Sequence, residues 1–462
     1  MSTPSVSNSI TIRLEVPPHA ATVSTLTSAV EAQGGVVTAV DVSGSGADHL
    51  QIDLTVATGG DQDRERIVQT LREMPSVTVG PVSDRVFLAH LGGKLTIESR
   101  VPIRHRDDLS LVYTPGVARV SQQVADHPED ARRLTIKRNT IAVVSDGSAV
   151  LGLGNIGPLG ALPVMEGKAA LFKRFAGIDA FQLVLDTQDV EEIIATVRNV
   201  APVFAGINLE DISAPRCFEV EARLRAELDI PVFHDDQHGT GIVATAALLN
   251  ALTVVGKKIE DVRVVLSGAG AAGSAVLRMM QAAGVRDVTV VDIDGIIHPS
   301  REGMHPSVQE IADKTNPRGL TGKLSDAIVG ADVFVGVSAP NILKEADVQA
   351  MAPDSIVFAL ANPVAEIDPA IAAKHAAVVA SGRSDYANQI NNVLAFPGVF
   401  RGLLDARSNK VTDDMLLAAA KALAAVVTPD ELNATYVIPS VFHPEVHETV
   451  AAAVREVAER ER

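Results

Sequence analysis

Two of the adjacent carboxylate pairs in this sequence, Glu210-Asp211 and Asp235-Asp236, stand out by what precedes them. Each pair closes an apolar run that reads as a buried strand, one over residues 201–209 and one from 230 onward. In α/β proteins ligands gather at the carboxyl ends of strands, so both pairs are expected at one edge. Four acids brought together there repel one another unless a cation or a lysine supplies the opposite charge. Lys168 can answer that need. It follows a stretch containing Gly147, Gly152, Gly154, Gly157 and Gly160, residues that let a backbone approach a ligand closely. Lys168 reads as opening a helix whose apolar face continues through Leu171, Phe172 and Phe175. That would set it near the positive end of the helix dipole, with a lowered pKa; a solvated surface lysine is the plainer reading. Tyr113, one of three tyrosines, stands two residues before Pro115 and so near a turn. Its plainer reading is a half-buried side chain with a satisfied hydroxyl.

A second constellation is GAGAAG at 268–273, in which Gly268, Gly270 and Gly273 flank Ala271 and Ala272. A strand over 261–266 runs into it, a helix to about 281 leaves it, and a second strand over 288–291 ends at Asp292. In that setting the glycines permit a tight turn and close approach of a pyrophosphate, and the helix N-terminus stabilises the anion. Asp292 is placed to bind a ribose 2′-hydroxyl, with Asp294 as competitor. A 2′-phosphate would meet a carboxylate there, so NAD is expected in preference to NADP; Arg301 and Lys314 are the phosphate partners if NADP is used. Farther on, a strand over 356–360 delivers Asn362 and Pro363 to the same edge, where an ordinary turn is the plain alternative.

The elements around these residues alternate between short strands and helices with short connections, as a parallel sheet requires. Amphipathic helices near 413–426 and 443–459 are expected to fold back on the first α/β domain. Ahead of the chemistry, residues 9–82 read as strands over 10–16, 36–42, 50–57 and 77–82, with helices over 22–33 and 61–73. Gly34-Gly35 stops the first helix, and residues 43–48 form a hairpin-like turn. This βαββαβ order predicts a ferredoxin-like sandwich and resembles the ACT domain, a small regulatory module that often binds amino acids. A packing or dimerisation domain is the alternative. Residues 87–98 read as a linker. Length, 462 residues, supports roughly three domains plus a tail: 1–84, 85–252, a Rossmann-type 253–395, and C-terminal helices over 396–462. A net charge of −17 without a basic run argues against nucleic acid or an anionic membrane as partner and favours a small molecule. The single Cys217 excludes a disulfide within the chain and a cysteine-rich metal site, as suits a reducing cytoplasm. Residues 1–9 lack the basic start and apolar core of a secretory signal, and the apolar stretch over 415–427 is short and interrupted by Lys421.

Taken together, Tyr113-Thr-Pro, the glycine stretch ending in Gly167-Lys168, Glu210-Asp211, DDQHGT at 235–240, GAGAAG, Ala361-Asn-Pro363 and Asn391-Asn392 followed by Phe396-Pro-Gly398 resemble malic enzyme. Their order and spacing match its short bacterial form from about residue 90 to 440. The resemblance implies Glu210, Asp211 and Asp236 as metal ligands; three carboxylates with no thiol suit Mg2+ or Mn2+, above the zinc that His234 and His238 invite. It implies Asp235 as the acid paired with Lys168, and Lys168 as general base on the malate hydroxyl while hydride passes to the nicotinamide. Tyr113 would protonate the enol left by decarboxylation, and Asn362 and Asn392 would hold substrate carboxylates. The larger eukaryotic forms carry a carboxylate-gripping arginine before the glycine stretch, and DGSAV at 146–150 has none. Arg104, Arg119, a residue of another subunit or, less favourably, Arg174 must serve instead. The expectation is a cytoplasmic, homodimeric or larger malic enzyme that converts malate to pyruvate and carbon dioxide with NAD or NADP, and takes an amino-acid or metabolite effector near Gly34-Gly35. A malolactic-type or plain hydroxy-acid dehydrogenase on the same scaffold is the rival. A catalytically silent nucleotide sensor is disfavoured by the intact Lys168, Tyr113 and metal carboxylates.

Overall fold

The computed structural model describes residues 4–17, 22–45 and 49–462 and divides into two compact units, Met1–Thr96 and Ile97–Arg462. The first unit runs β1 (Ser5–Val16), α1 (Val23–Ala32), β2 (Val36–Ser45), β3 (Leu50–Thr58), α2 (Asp61–Arg72), β4 (Thr78–Asp84) and α3 (Arg85–His90). Its antiparallel sheet, ordered β2-β3-β1-β4, has the expected ferredoxin-like form. Period-two alternation turns Ile10, Ile12, Leu14, Ile52, Leu54 and Val56 inward, where Leu26, Val30, Ile67 and Leu71 of the two helices cover them. Residues 46–48 of the expected hairpin turn lie outside the described residues. The expected linker over 87–98 is instead helical at its start, because the Asp84 carboxylate accepts from the N–H groups of Val86 and Phe87 and caps α3. A Cβ at Gly35 would lie 2.7 Å from Ile67 and 2.8 Å from Val30, so this unit's own core fills the room that the glycine pair suggested for a ligand; only Gly34 faces open space.

The second unit opens with α4 (Arg106–Val112), α5 (Val117–Asp126) and α6 (Ala131–Leu134), none of which buries a side chain. A four-stranded parallel sheet follows, ordered β6-β5-β7-β8, from β5 (Thr140–Ser145), β6 (Asp179–Val184), β7 (Gly206–Leu209) and β8 (Val232–His234). Its helices are α7 (Gly157–Ala176), α8 (Val190–Val200) and α9 (Arg216–Glu227). The strand expected over 201–209 is shorter, since Ala201–Val203 form a 3-10 turn around Pro202, which has no N–H to give a ladder. Next comes α10 (Asp235–Val255). Among the described residues it is the one helix long and apolar enough, by length and composition, to cross a membrane, a distinction the stretch over 415–427 does not share. Its residues Ile242, Val243, Leu248 and Leu252 are instead buried in the main core.

The second sheet comprises β9 (Arg263–Ser267), β10 (Asp287–Asp292), β11 (Gly295–Ile296), β12 (Val333–Gly336), β13 (Ile356–Ala359) and β14 (Val378–Ser381). It is ordered β11-β10-β9-β12-β13-β14 and is parallel except for the β10–β11 hairpin. Around it lie α11 (Ala271–Ala283), α12 (Pro306–Lys314), α13 (Leu324–Ala327), α14 (Glu345–Gln349) and α15 (Pro369–Ala372). A Cβ at Gly241 would sit 3.0 Å from Met279 and 3.2 Å from the Ala275 carbonyl, so α10 meets α11 at close quarters. The chain ends in α16 (Phe396–Ala406), α17 (Asp413–Ala425) and α18 (Val446–Arg460). This tail folds back on the first sheet's helices as expected: Phe396 and Phe400 stack 4.6 and 5.2 Å from Phe172 of α7. Gly398 and Gly402 let α18 approach α16 until Val450 and Val454 fill the space of their missing side chains.

Candidate active site

Leu209 of β7 pairs with His234 of β8, which brings the two acid pairs side by side just beyond the sheet. Asp235 and Asp236 open α10 and so stand in its first turn, whereas Glu210 and Asp211 lie in a loop where Asp211 takes a φ of 55°. The Asp211 N–H donates to Asp236 (2.8 Å), and the Asn208 amide donates to Glu210 (2.8 Å). Ligand oxygens of Glu210, Asp211 and Asp236 fall within 4.8 Å of one another. Burial, reinforced by the neighbouring acids, pushes Asp211 up to about 9 and Asp236 to about 6. Burial also lifts Glu210 to about 7 against the pull of Lys168.

Lys168 lies in the middle of α7, not at its start, so the expected depression by the helix dipole does not apply. Its Nζ is 2.5 Å from Asp235, 2.8 Å from Glu210 and 4.3 Å above the Phe396 ring. Burial works to lower its pKa, but the two carboxylates outweigh it and hold the ammonium above the usual lysine range. Asp235, fully buried, is pushed up to about 7 by burial against the pull of Lys168. Asn392 donates to the same Asp235 oxygen at 2.5 Å, which commits part of an amide expected to hold substrate. Gly239 is required, because a Cβ there would run into the Asp235 carboxylate and the Asn392 side chain.

Tyr113 stands apart from this cluster, at the C-cap of α4, 64% exposed and with no hydrogen bond to Lys168, Asp235 or Asn392. Arg104, Arg119 and Arg174 are exposed, and Arg174 lies against the Phe175 ring. The arginine that does reach the DGSAV turn is Arg216, unforeseen from sequence. It opens α9 and donates to Asp146 (2.9 Å) and to Ser213 (3.0 Å), while the Ser213 N–H donates to Ser148 (2.9 Å). The only sequence signal for it was an arginine five residues past Asp211. His238 is committed to Glu221 (2.6 Å) and receives a bond from Arg278 (2.9 Å), so zinc gains no support from it. His234 is buried, with its Nδ1 3.7 Å from Asp236.

At the second sheet, Gly268 takes a φ of 114° and a Cβ there would lie 2.8 Å from the Val337 carbonyl; a Cβ at Gly273 would clash with the Gly268 carbonyl. Gly270, the N-cap of α11, faces open space, as a residue must where a phosphate comes close. Ala271 and Ala272 form the first turn of α11. Asp292 is held at both oxygens by Arg301 (2.8 and 2.7 Å), which also reaches Asp294 (3.0 Å). Lys314 is engaged elsewhere, by Glu310. Asn362 presses its amide against Gly382, where a Cβ would lie 2.7 Å away.

Residues 93–225 match the family model of the malic enzyme N-terminal domain, and residues 237–459 that of the malic enzyme NAD binding domain. The chain belongs to the malic enzyme family. It is 57% identical over 451 residues to the NAD-dependent malic enzyme of Geobacillus stearothermophilus, covering 98% of this chain and 94% of that one. It is 51% identical over 368 residues to the bifunctional malic/malolactic enzyme of Bacillus subtilis (strain 168), covering 79% and 90%. The crystal structure of the NAD-dependent malic enzyme of Thermotoga maritima superposes with a TM-score of 0.78 at 49% identity, over 81% of this chain and 99% of that one. The residues present fit the groups that a malic enzyme uses. Three mutually repelling acids, with Asp211 Oδ2 buried and lacking a hydrogen-bond partner, suit a hard dication. The open cradle at Gly270 suits a pyrophosphate.

Proposed function

We propose that the chain oxidatively decarboxylates (S)-malate to pyruvate and carbon dioxide with NAD. The observation that carries this reading is Lys168, buried between Asp235 and Glu210 beside the triad of acids. Glu210, Asp211 and Asp236 would hold Mg2+ or Mn2+, which supplies Lewis-acid polarisation of the substrate's C2 oxygen. At the glycine turn, NAD supplies the hydride acceptor. Lys168 would take the proton of the malate hydroxyl, oriented by Asp235, which Asn392 fixes in turn. With Glu210 neutralised by a cation, Asp235 remains the ion-pair partner of Lys168, and the hold on its proton weakens. Asn362 would contact a substrate carboxylate.

Tyr113 would donate the proton that converts the enol to pyruvate. Exposed Ile103, Leu109 and Leu111 precede it in the chain, and among the described residues α4 and α5 bury no side chain fully. That apolar exposure supports a homodimer in which a second copy covers the segment and the Tyr113 hydroxyl meets a Lys168 cluster. The buried, lone Cys217 is in keeping with a cytoplasmic setting. The first unit would serve assembly or regulation.

The deciding experiment supplies malate with NAD or NADP, with and without Mn2+. Carbon dioxide released in equal amount to reduced nicotinamide supports the reading; lactate without net reduction would favour the malolactic activity named for the Bacillus subtilis relative. Lys168→Ala should abolish malate oxidation, and Tyr113→Phe should chiefly slow solvent-proton incorporation into pyruvate.

A further inference from the structure

Glu366 follows β13 in the loop before α15, and its side chain is fully buried. Among the described residues it has no cationic partner; its charge is met by backbone N–H groups. One oxygen accepts from the Ser338 N–H (3.0 Å), just beyond β12, and the other from the Ala361 N–H (3.0 Å), just beyond β13. Space for the carboxyl group exists because residue 336 is glycine, where a Cβ would clash with it. Burial raises the pKa of Glu366 while those N–H groups work to lower it. An acid kept in the interior without a cation is costly to the fold, which calls for a reason at this position.

The two loops it joins lead to the two parts of the nucleotide edge. Ser338 shares a hydrogen bond with Ser267 (2.9 Å), the residue that enters the glycine turn, and Gly268 rests against the carbonyl of neighbouring Val337. Ala361 precedes Asn362, whose carbonyl closes on Gly152 and whose amide lies against Gly382. We propose that Glu366 is a positioning residue: its carboxylate spans the ends of β12 and β13 and sets the spacing between the dinucleotide turn and Asn362. An inference about spacing of this kind rests on the malic enzyme reading given above. Neither oxygen can be spared, since each holds a different loop.

Glu366→Gln keeps the shape but turns an amide NH2 toward one of the two N–H groups. NADH affinity, followed by the fluorescence of NADH itself, should weaken at least fivefold, and the KM for malate should rise at least fivefold. The melting temperature should stay close to wild type or rise, because a buried charge is gone. Gly336→Ala, which drives a methyl group into the carboxyl group, should give the same binding pattern. A lowered melting temperature with unchanged NADH affinity and unchanged kcat and KM per folded enzyme would mark Glu366 as a simple brace and overturn the proposal, as would no change at all. NADH titration needs no turnover. A wild-type protein inert toward malate would therefore sink the reaction assigned above, while a weakened NADH titration in Glu366→Gln would still support the spacing role.

Discussion

Asp211 and Glu210, raised to about 9 and 7, retain protons near neutral pH that a dication must displace, and Asp236, raised to about 6, does so at slightly lower pH. Cation binding should therefore release protons, and Mn2+ affinity should climb as pH rises through this window. Proton release in a weakly buffered titration checks it, and pH-independent affinity would count against it. Asp236→Asn should weaken Mn2+ by at least about tenfold, with turnover lost in parallel. A second prediction concerns the coenzyme. Arg301 spends its guanidinium on Asp292 and Asp294, so a 2′-phosphate would face two acids and a committed arginine. Asp292→Ala should free Arg301 and raise kcat/KM for NADP by about tenfold while lowering it for NAD; unchanged NADP kinetics would mean that another residue discriminates. The acids, Lys168 and the glycines were legible in the sequence because residue type and spacing carry their chemistry. The Arg301 pairing was not, since nothing in a sequence says that a β10–β11 hairpin folds an arginine back onto the acid nine positions earlier.

The helix that holds Lys168 starts earlier than its sequence suggests, for a definable reason. Pro163 and a run of glycines look like loop, yet α7 begins at Gly157 with a proline in its first turn and carries Pro163 inside, which moves Lys168 from its start to its middle. The surrounding acids then decide the lysine's charge, not the dipole. In α10 too, glycines stand inside a helix: Gly239 and Gly241 are poor helix formers that are retained for contact. That retention predicts the effect of Gly239→Ala. An alanine there favours the helix intrinsically but pushes on Asp235 and Asn392. Malate kcat/KM should fall about 100-fold with NADH affinity little changed; wild-type kinetics would show that the cluster tolerates the shift.

At the scale of the whole chain, the ferredoxin-like order, both parallel sheets and the returning tail were readable from alternation and turn residues. The exposed helices α4 to α6 gave no such signal, because among the described residues they bury no side chain fully and leave Leu109, Leu111 and Val120 exposed. The tail also makes the fold sensitive to acid. His447 of α18 lies against Phe175 of α7, ring centroids 4.5 Å apart, and burial pushes its pKa down to about 4. An unfolded histidine titrates near 6.5, so between those values the unfolded chain binds a proton that the folded one does not. Stability is thus fully present above about pH 6.5 and lost as pH falls toward 4, by on the order of 3 kcal/mol at most. His234 and His238 are lowered too and act in the same direction. His447→Phe should flatten the pH dependence of the urea midpoint across this window, and an unaltered slope would assign the effect to the other histidines.

The placement of α10 also limits how this chain can be recombined with its relatives. A crossover after Val255 keeps the two aspartates with their own helix but sets Gly241 against a foreign Ala275 and Met279; a crossover before Asp235 preserves that seam and gives Glu210 and Asp211 a borrowed third acid. No breakpoint near this helix leaves both contacts native, so hybrids should work only between parents that match at positions 241, 275 and 279 or share the geometry of the acid loop.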